Sequence, residues 1–207
     1  MLNEIITQFV LLWAVIDPIG TIPVFIAVTV GMSKAVARKI ALKATLVAAL
    51  VLVFFVLAGE YLLDAMQIPL SAFQVAGGIV LFLFALTMIF GESKPEVEMN
   101  MVKHNLHSYV FPLAIPSIAS PGAMMAAVLL TDNHRFSWLH QGVTTLIMFA
   151  VLLITLLFML VASRILSLIG EAGASVISRV MGMILASVAV SAILQGISLY
   201  FGLNGVS

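Results

Sequence analysis

A helix-breaking stretch, VIDPIGTIP at Val15 to Pro23, lies in the middle of an apolar segment and limits the folds that this chain can adopt. That segment runs from Ile5 to about Val30, longer than the roughly 20 apolar residues with which a helix crosses the hydrocarbon of a bilayer. Proline lacks an amide donor and clashes with the preceding helical turn. Freed backbone groups are tolerated in a membrane only inside protein or beside a watery cavity. We therefore expect a helix break near mid-membrane that faces the protein interior.

The rest of the chain is equally apolar. Of 207 residues, 63% are hydrophobic and only 9% are charged, and the mean hydropathy is +1.23, whereas about a quarter of the residues in soluble domains are charged. The pattern predicts an all-α polytopic membrane protein with six transmembrane helices, at about residues 5–30, 40–66, 71–90, 107–131, 138–162 and 176–201. A net charge of zero argues against nucleic-acid binding. The absence of cysteine excludes disulfides and thiolate metal sites.

Basic residues are distributed unequally between the two sides of the predicted membrane. Eight of the nine fall on one side and only Arg135 falls on the other. The eight are Lys34, Arg38, Lys39, Lys43, Lys94, Lys103, Arg164 and Arg179. Because Lys and Arg accumulate in cytoplasmic loops, we expect both termini on the outer side, which is periplasmic for a bacterial inner membrane.

A weak internal repeat divides the chain into two halves, 1–98 and 99–207. An offset of about 104 positions aligns AFQVAGGIVL (Ala72 to Leu81) with VISRVMGMIL (Val176 to Leu185) and brings Gly78 onto Gly182. With an offset one residue shorter, DPIG at Asp17 aligns with SPG at Ser120. Chance similarity between apolar segments is the alternative explanation. If the repeat is real, three spans per half make it an inverted repeat, an arrangement typical of secondary transporters.

The fourth span contains a second break-forming stretch, PLAIPSIASPGA. Thr21 and Pro23 suit the start of a half-helix after the first break, and Ser120 with Pro121 suits an N-cap followed by a first helical position. Helix N-termini present unpaired amides and a positive dipole end. Two such ends meeting at mid-membrane would bind a small anion or a carboxylate.

Asp17 is the only acidic residue predicted deep within a span; Asp132, for example, falls beyond the fourth. Carboxylates inside a membrane are costly and mark functional sites by default. The alternative is that Asp17 only caps the half-helix that follows Pro18, and both roles are compatible. A carboxylate beside donor-rich helix ends would bind an ammonium group or a coupling cation, while the helix ends bind a carboxylate. The arrangement predicts a zwitterionic substrate.

The segments DPIGTIPVF, VAGGIVL, PLAIPSIASPGA and ISRVMGMIL resemble, in order and spacing, the MarC family of bacterial and archaeal inner-membrane proteins. This family includes SnatA-type transporters of small neutral amino acids such as glycine and alanine, reported as cation-coupled. The resemblance therefore implies amino-acid transport. The family motifs fall on Asp17, Pro18, Gly20, Pro23, Pro112, Pro116, Pro121 and Gly122.

Two residues depart from the family pattern. Ser120 replaces a glycine of AGPG, and Ser117 stands where an apolar residue is common. Those hydroxyls would add substrate contacts or shift selectivity. Relatives also carry Asn at the position of Asp17, which leaves open whether that side chain acts by its charge or as a helix cap.

The predicted site residues form three groups. The substrate-binding residues are Asp17, Gly20, Thr21, Ser117, Ser120 and Gly122; the helix-breaking residues are Pro18, Pro23, Pro116 and Pro121; the helix-packing residues are Gly77, Gly78 and Gly182. We expect no metal site, because His104, His107, His134 and His140 are divided between loops on opposite sides of the membrane. The expected partners are a zwitterionic substrate, the lipid bilayer and a coupling proton or sodium ion, with homo-oligomer formation left open.

Three functions are compatible with these sequence features. A secondary transporter that exports small neutral amino acids by alternating access is the leading hypothesis, and the chain has no G-x-x-x-x-G-K-[ST] loop for ATP. A channel for small anions or neutral solutes would use the same breaks but would show no counterflow. An intramembrane hydrolase would need a base near Ser117 or Ser120, and only Asp17 is predicted at that depth. We therefore expect no enzymatic activity.

Overall fold

The computed structural model describes residues 2–90, 109–132 and 136–203 of the chain, and all regular secondary structure in these ranges is helical. The helices are α1 (Leu2–Ile16), α2 (Thr21–Thr29), α3 (Lys34–Ala65), α4 (Leu70–Phe90), α5 (Tyr109–Ile118), α6 (Pro121–Leu130), α7 (Trp138–Leu160) and α8 (Ala162–Tyr200). Of these, α5 is irregular, because Phe111 and Ile115 have extended backbone angles next to two prolines. The predicted boundary at 98/99 lies outside the described residues.

Within the described residues, five helical segments are long and apolar enough to cross a membrane, and a bent pair makes up to six. The five are Asn3–Thr29, Lys34–Ala65, Leu70–Phe90, Trp138–Leu160 and Ser175–Tyr200. The pair consists of Val110–Ile118 and Pro121–Leu130, which meet at an angle of 47°. The prediction of an all-α polytopic membrane protein is confirmed, and the predicted count of six holds if the bent pair is one span.

The chain leaves the helical pattern between α1 and α2, at residues 17–20. The residue before a proline is disfavoured in the right-handed helical region, and Asp17, which precedes Pro18, adopts a φ of 50°. Aspartate is among the few non-glycine residues that enter this left-handed region. Helix α2 then begins at Thr21.

The interrupted first span lies inside the bundle. In its most apolar window 67% of the residues are buried, against 22% for α3 and for the span within α8. Asp17, Pro18 and Gly20 are all buried in protein, as expected for backbone that leaves the helical pattern at membrane depth. The helices around it expose many large apolar side chains, such as Leu46, Leu50 and Leu57 of α3.

The most extensive helix contact is the antiparallel packing of α4 against α8. A Cβ atom at Gly78 would lie 2.9 Å from the carbonyl oxygen of Ala189, and one at Gly182 would lie 3.1 Å from that of Ala85. Gly77 adjoins the side chain of Met125 in α6. Gly78 and Gly182 thus stand where two helix backbones approach closely, whereas Gly77 leaves space for a side chain.

The helices of the two halves pair in a reciprocal way. Helix α1 packs against α7 and α5 against α3; α2 packs against α8 and α6 against α4; α1 packs against α6 and α2 against α5. In each of these three pairs, the second contact is the first one with every helix replaced by its counterpart in the other half: α1 by α5, α2 by α6, α3 by α7 and α4 by α8. Helix α1 additionally contacts α8.

Candidate functional site

A cluster of polar side chains lies in the apolar interior where these helices meet. Asp17 is 1% exposed, and Thr21, Ser117, Ser120 and Ser178 are each 0% exposed. They come from the turn between α1 and α2, the start of α2, the end of α5, the residue before α6, and α8. Buried polar groups are costly unless they are hydrogen-bonded, so the bonds within this cluster define what it can do.

The Asp17 carboxylate accepts hydrogen bonds from both halves of the chain. Its Oδ1 accepts from the backbone amide of Gly20 at 2.9 Å, and its Oδ2 accepts from the hydroxyl of Ser178 at 3.2 Å. The first bond closes the turn that leads into α2, but it is not a side-chain cap of that helix, whose N-cap residue is Gly20. The second bond joins the carboxylate to α8, so both roles considered for Asp17 stay predictions.

Gly20 contributes to this geometry by lacking a side chain. The three atoms nearest to a Cβ built at Gly20 all belong to the Asp17 carboxylate. Any larger residue would therefore displace the carboxylate from the Gly20 amide. The backbone carbonyl of Asp17 in turn accepts from the hydroxyl of Thr21 at 3.0 Å.

Ser117 and Ser120 bring the second proline-rich stretch onto the first. The Ser117 hydroxyl donates to Oγ1 of Thr21 at 3.3 Å, and the Ser120 hydroxyl donates to the carbonyl of Val15 at 2.7 Å. Ser120 also caps α6, because its Oγ accepts from the amide of Ala123 at 3.1 Å. Asp17 and Ser120, aligned in the sequence repeat, thus each accept from an amide three residues ahead.

The remaining predicted residues border this cluster. A Cβ at Gly122 would lie 2.8 Å from Leu81 and 3.5 Å from Val15, so Gly122 allows α6 to begin close to apolar neighbours. Pro18 and Pro23 are buried. Pro116 is half-buried in α5, and Pro121 is the exposed first residue of α6. A substrate contact at Gly122 stays a prediction.

Sequence analysis missed Ser178 as a site residue. It stands among apolar residues of α8, and nothing local distinguishes it from serines that bond to their own helix. The repeat alignment offered the one available signal, because Ser178 falls opposite Gln74 and both side chains are buried. Polar residues at equivalent positions of two apolar spans indicate that both side chains face the interior of the protein.

A second polar cluster connects α1 with α7. The side-chain amide of Gln8 donates to Nε2 of His140 at 2.7 Å, and the Thr144 hydroxyl donates to Oε1 of Gln8 at 3.1 Å. The His140 ring stacks on Phe136, with centroids 4.3 Å apart. The prediction that His140 lies in a loop is therefore wrong: it lies in the first turn of α7, half-buried. His104, His107 and His134 lie outside the described residues.

Asp132 also differs from its predicted setting. The sequence places it beyond the fourth span, yet it is only 1% exposed, and its backbone carbonyl accepts from the Phe136 amide at 2.9 Å. In the part of the chain that the structure describes, no three His, Asp or Glu residues come together as a potential metal site.

Known proteins are similar to this chain over nearly its whole length. The model of one family, described as "MarC family integral membrane protein", matches residues 2–201. Escherichia coli (strain K12) "UPF0056 inner membrane protein YhgN" is 32% identical over 201 residues, covering 96% of this chain and 98% of that protein. "UPF0056 membrane protein MJ1677" of Methanocaldococcus jannaschii is 32% identical, covering 95% and 97%. No solved structure matches the chain.

Proposed function

We propose that this chain, which belongs to the MarC family of integral membrane proteins, is a secondary transporter that exports small neutral amino acids of the alanine and glycine class across the inner membrane. One observation carries the proposal: the buried carboxylate of Asp17 is bonded by the Gly20 amide of the first half and by the Ser178 hydroxyl of the second. A charge bonded from two halves of a membrane protein is a natural binding group for a cation that passes between them.

The chemistry of the cluster suits a zwitterion. An amino-acid ammonium group would replace the Ser178 hydroxyl at Asp17, forming a charge-assisted hydrogen bond. The substrate carboxylate would accept from the amides at the start of α2 and α6, where the helix dipoles favour negative charge. The hydroxyls of Thr21, Ser117 and Ser120 lie in the same cluster and would supply further polar contacts to a substrate.

The reciprocal pairing of helices supports an inverted repeat as the basis of transport. Antiparallel packing of α4 on α8, with Gly78 and Gly182 at matching contacts, is what two halves of opposite orientation would form. Transporters of this type place the substrate at the interface between the halves and change access by moving one half against the other. The cluster around Asp17 combines residues of both halves, which supports this position for the substrate.

The burial of the cluster favours a carrier over a channel. All five polar side chains are 0–1% exposed, so this conformation corresponds to a closed state in which protein groups bond with one another. A channel for small anions or neutral solutes would need a continuous path past the same residues. The proposal further places both termini on the periplasmic side, on the basis of the unequal distribution of basic residues.

The test is counterflow of labelled alanine or glycine in proteoliposomes, at two pH values, with and without sodium. Wild type should show saturable counterflow. Asp17→Asn, which keeps an acceptor for the Gly20 amide but removes the charge, should lose most of that activity or its dependence on pH. Asp64→Asn, at an exposed acid near the end of α3, is the matched control and should behave as wild type.

The outcomes distinguish the candidates. Absence of saturable exchange with any small neutral amino acid would rule out the amino-acid assignment. Rapid flux of small solutes without counterflow stimulation would identify a channel. An effect of sodium that survives Asp17→Asn would place the coupling ion on backbone carbonyls near the break rather than on the carboxylate.

A further inference from the structure

A groove of about 460 Å³ lies between α3 and α7, and none of its lining residues belongs to the polar cluster. Its walls are mainly apolar, with Leu42 and Leu46 on one side and Phe149, Leu153 and Leu156 on the other. Leu42, Leu46, Phe149 and Leu153 are 44–60% exposed, and Leu156 is half-buried. An apolar groove of this kind in a membrane protein accommodates an acyl chain, and two further lining residues indicate which lipid it would bind.

The first of these residues is Thr45, whose hydroxyl oxygen is buried without a hydrogen-bond partner. The other eight threonines of the chain behave differently: each donates its hydroxyl to a backbone carbonyl three or four residues earlier. They are Thr7, Thr21, Thr29, Thr87, Thr131, Thr144, Thr145 and Thr155. A hydroxyl without a partner in an apolar wall is costly. Because Thr45 also lines the groove, rotation of its side chain would turn this hydroxyl toward a ligand there.

The second residue is Lys43, which lines the groove where α3 is most basic. Lys39 lies one helical turn earlier on the same face, and Lys34 and Arg38 belong to the same end of α3. All four side chains are exposed. The acidic residues of α3, Glu60 and Asp64, lie near its opposite end, so one end of the groove is positively charged.

The length of α3 places this charge at the membrane surface. Its 32 residues extend about 48 Å at 1.5 Å per residue, whereas the hydrocarbon is about 30 Å thick. The basic first turns therefore extend beyond the hydrocarbon. A lysine at position 43 can direct its ammonium group outward to the level of the lipid headgroups.

We propose that this groove binds a phospholipid with an anionic headgroup. The lipid phosphate contacts Lys43 and Lys39, the Thr45 hydroxyl donates to an ester carbonyl, and one acyl chain lies along Leu46 and Phe149. Basic grooves between transmembrane helices are suited to such headgroups. This site is separate from the transport proposal, and its test does not require transport.

The test measures lipid binding to the purified, delipidated full chain by native mass spectrometry, together with the melting temperature. Phosphatidylglycerol and phosphatidylcholine with identical acyl chains are compared with soluble glycerol phosphate. Wild type should bind phosphatidylglycerol in preference and melt at a higher temperature with it, and glycerol phosphate should have no effect. Lys43→Gln should lower the preference for the anionic lipid about fivefold or more, and Lys39→Gln should lower it to a smaller extent.

Thr45→Val separates the hydroxyl from the charge. Because the ester carbonyl is common to both lipids, this variant should bind both less well while keeping the preference for phosphatidylglycerol. Lys34→Gln and Thr145→Val are the matched controls and should bind lipid as wild type does. Equal binding of the two lipids to wild type, or an unchanged preference in Lys43→Gln, would overturn the proposal. Stabilisation by glycerol phosphate alone would overturn it in favour of a free phosphate site.

Discussion

The hydroxyl of Ser178 lies 3.2 Å from Oδ2 of Asp17, although 161 residues separate them in the sequence. Asp17 belongs to the turn that separates α1 from α2, and Ser178 belongs to α8. The contact therefore joins the two halves at the carboxylate on which the proposed transport depends. If α8 moves away from this turn when access changes, the bond breaks and re-forms once per cycle.

Ser178→Ala should slow net transport about tenfold, since a hydrogen bond to a charged group contributes about 1.5–3 kcal/mol. Exchange should change less, because in exchange the carrier returns loaded and a substrate ammonium takes the place of Ser178 at Asp17. Net flux and counterflow in the same proteoliposomes measure the difference. Ser187→Ala, on the same helix with its hydroxyl bonded to Met183, is the control. Equal slowing of both processes would argue against this role for Ser178.

Gly20→Ala should abolish transport while the protein still folds. The backbone angles of Gly20, φ −64° and ψ −22°, are ones that alanine adopts freely. The new methyl group would instead collide with the Asp17 carboxylate and push it out of position. Transport and melting temperature should be compared with Gly142→Ala, where a Cβ meets nothing within 4 Å. Normal transport by Gly20→Ala would contradict the proposed placement of the carboxylate.

Ser120→Ala should destabilise the protein more than Ser33→Ala does. Both serines cap a helix, and loss of a cap costs about 0.5–2 kcal/mol. Ser120 is fully buried and also donates to the Val15 carbonyl at 2.7 Å, whereas Ser33 is exposed. Thermal unfolding in one detergent measures both variants. Equal melting temperatures would mean that the Val15 contact adds little.

Gly78→Ala and Gly182→Ala should each lower the melting temperature. Their methyl groups would approach the carbonyl oxygens of Ala189 and Ala85 at 2.9 and 3.1 Å, and overpacking of a close helix contact costs about 1–3 kcal/mol. Because the two contacts correspond in the proposed repeat, the two losses should be similar. Gly142→Ala again serves as the control and should melt as wild type does.

Gln8 and His140 should be energetically coupled. A double-mutant cycle with Gln8→Ala and His140→Ala is expected to give a coupling of about 0.5–3 kcal/mol, the range for residues in direct contact. Thr145, whose hydroxyl bonds to Gln141 within its own helix, provides the comparison through Thr145→Val paired with Gln8→Ala. For Thr145→Val with Gln8→Ala, the change in the free energy of unfolding of the double variant should equal the sum of the two single changes. Additivity for Gln8 and His140 would show that their 2.7 Å contact does not stabilise the packing of α1 on α7.

Much of the architecture could be predicted from the sequence, because a membrane simplifies the problem. Every span must satisfy its backbone internally and present apolar side chains, so composition and length alone predicted an all-helical, polytopic chain and its spans. The position of the first interruption followed from Pro18, because proline restricts the residue before it. The start of α6 followed from Ser120 and Pro121, since capping is a local interaction.

Ser178, His140 and Asp132 could not be placed in this way. Their environments depend on which helix faces which, and apolar side chains on all sides of a span give little indication of its inner face. Only the packing of α8 against the turn after α1 brings Ser178 to Asp17, and only the packing of α1 on α7 buries His140 against Gln8. Local sequence was thus enough to predict the helices and the non-helical residues 17–20 between α1 and α2. The tertiary structure decided which polar groups meet, because a hydrogen bond between distant residues requires both backbones to be fixed by their neighbours.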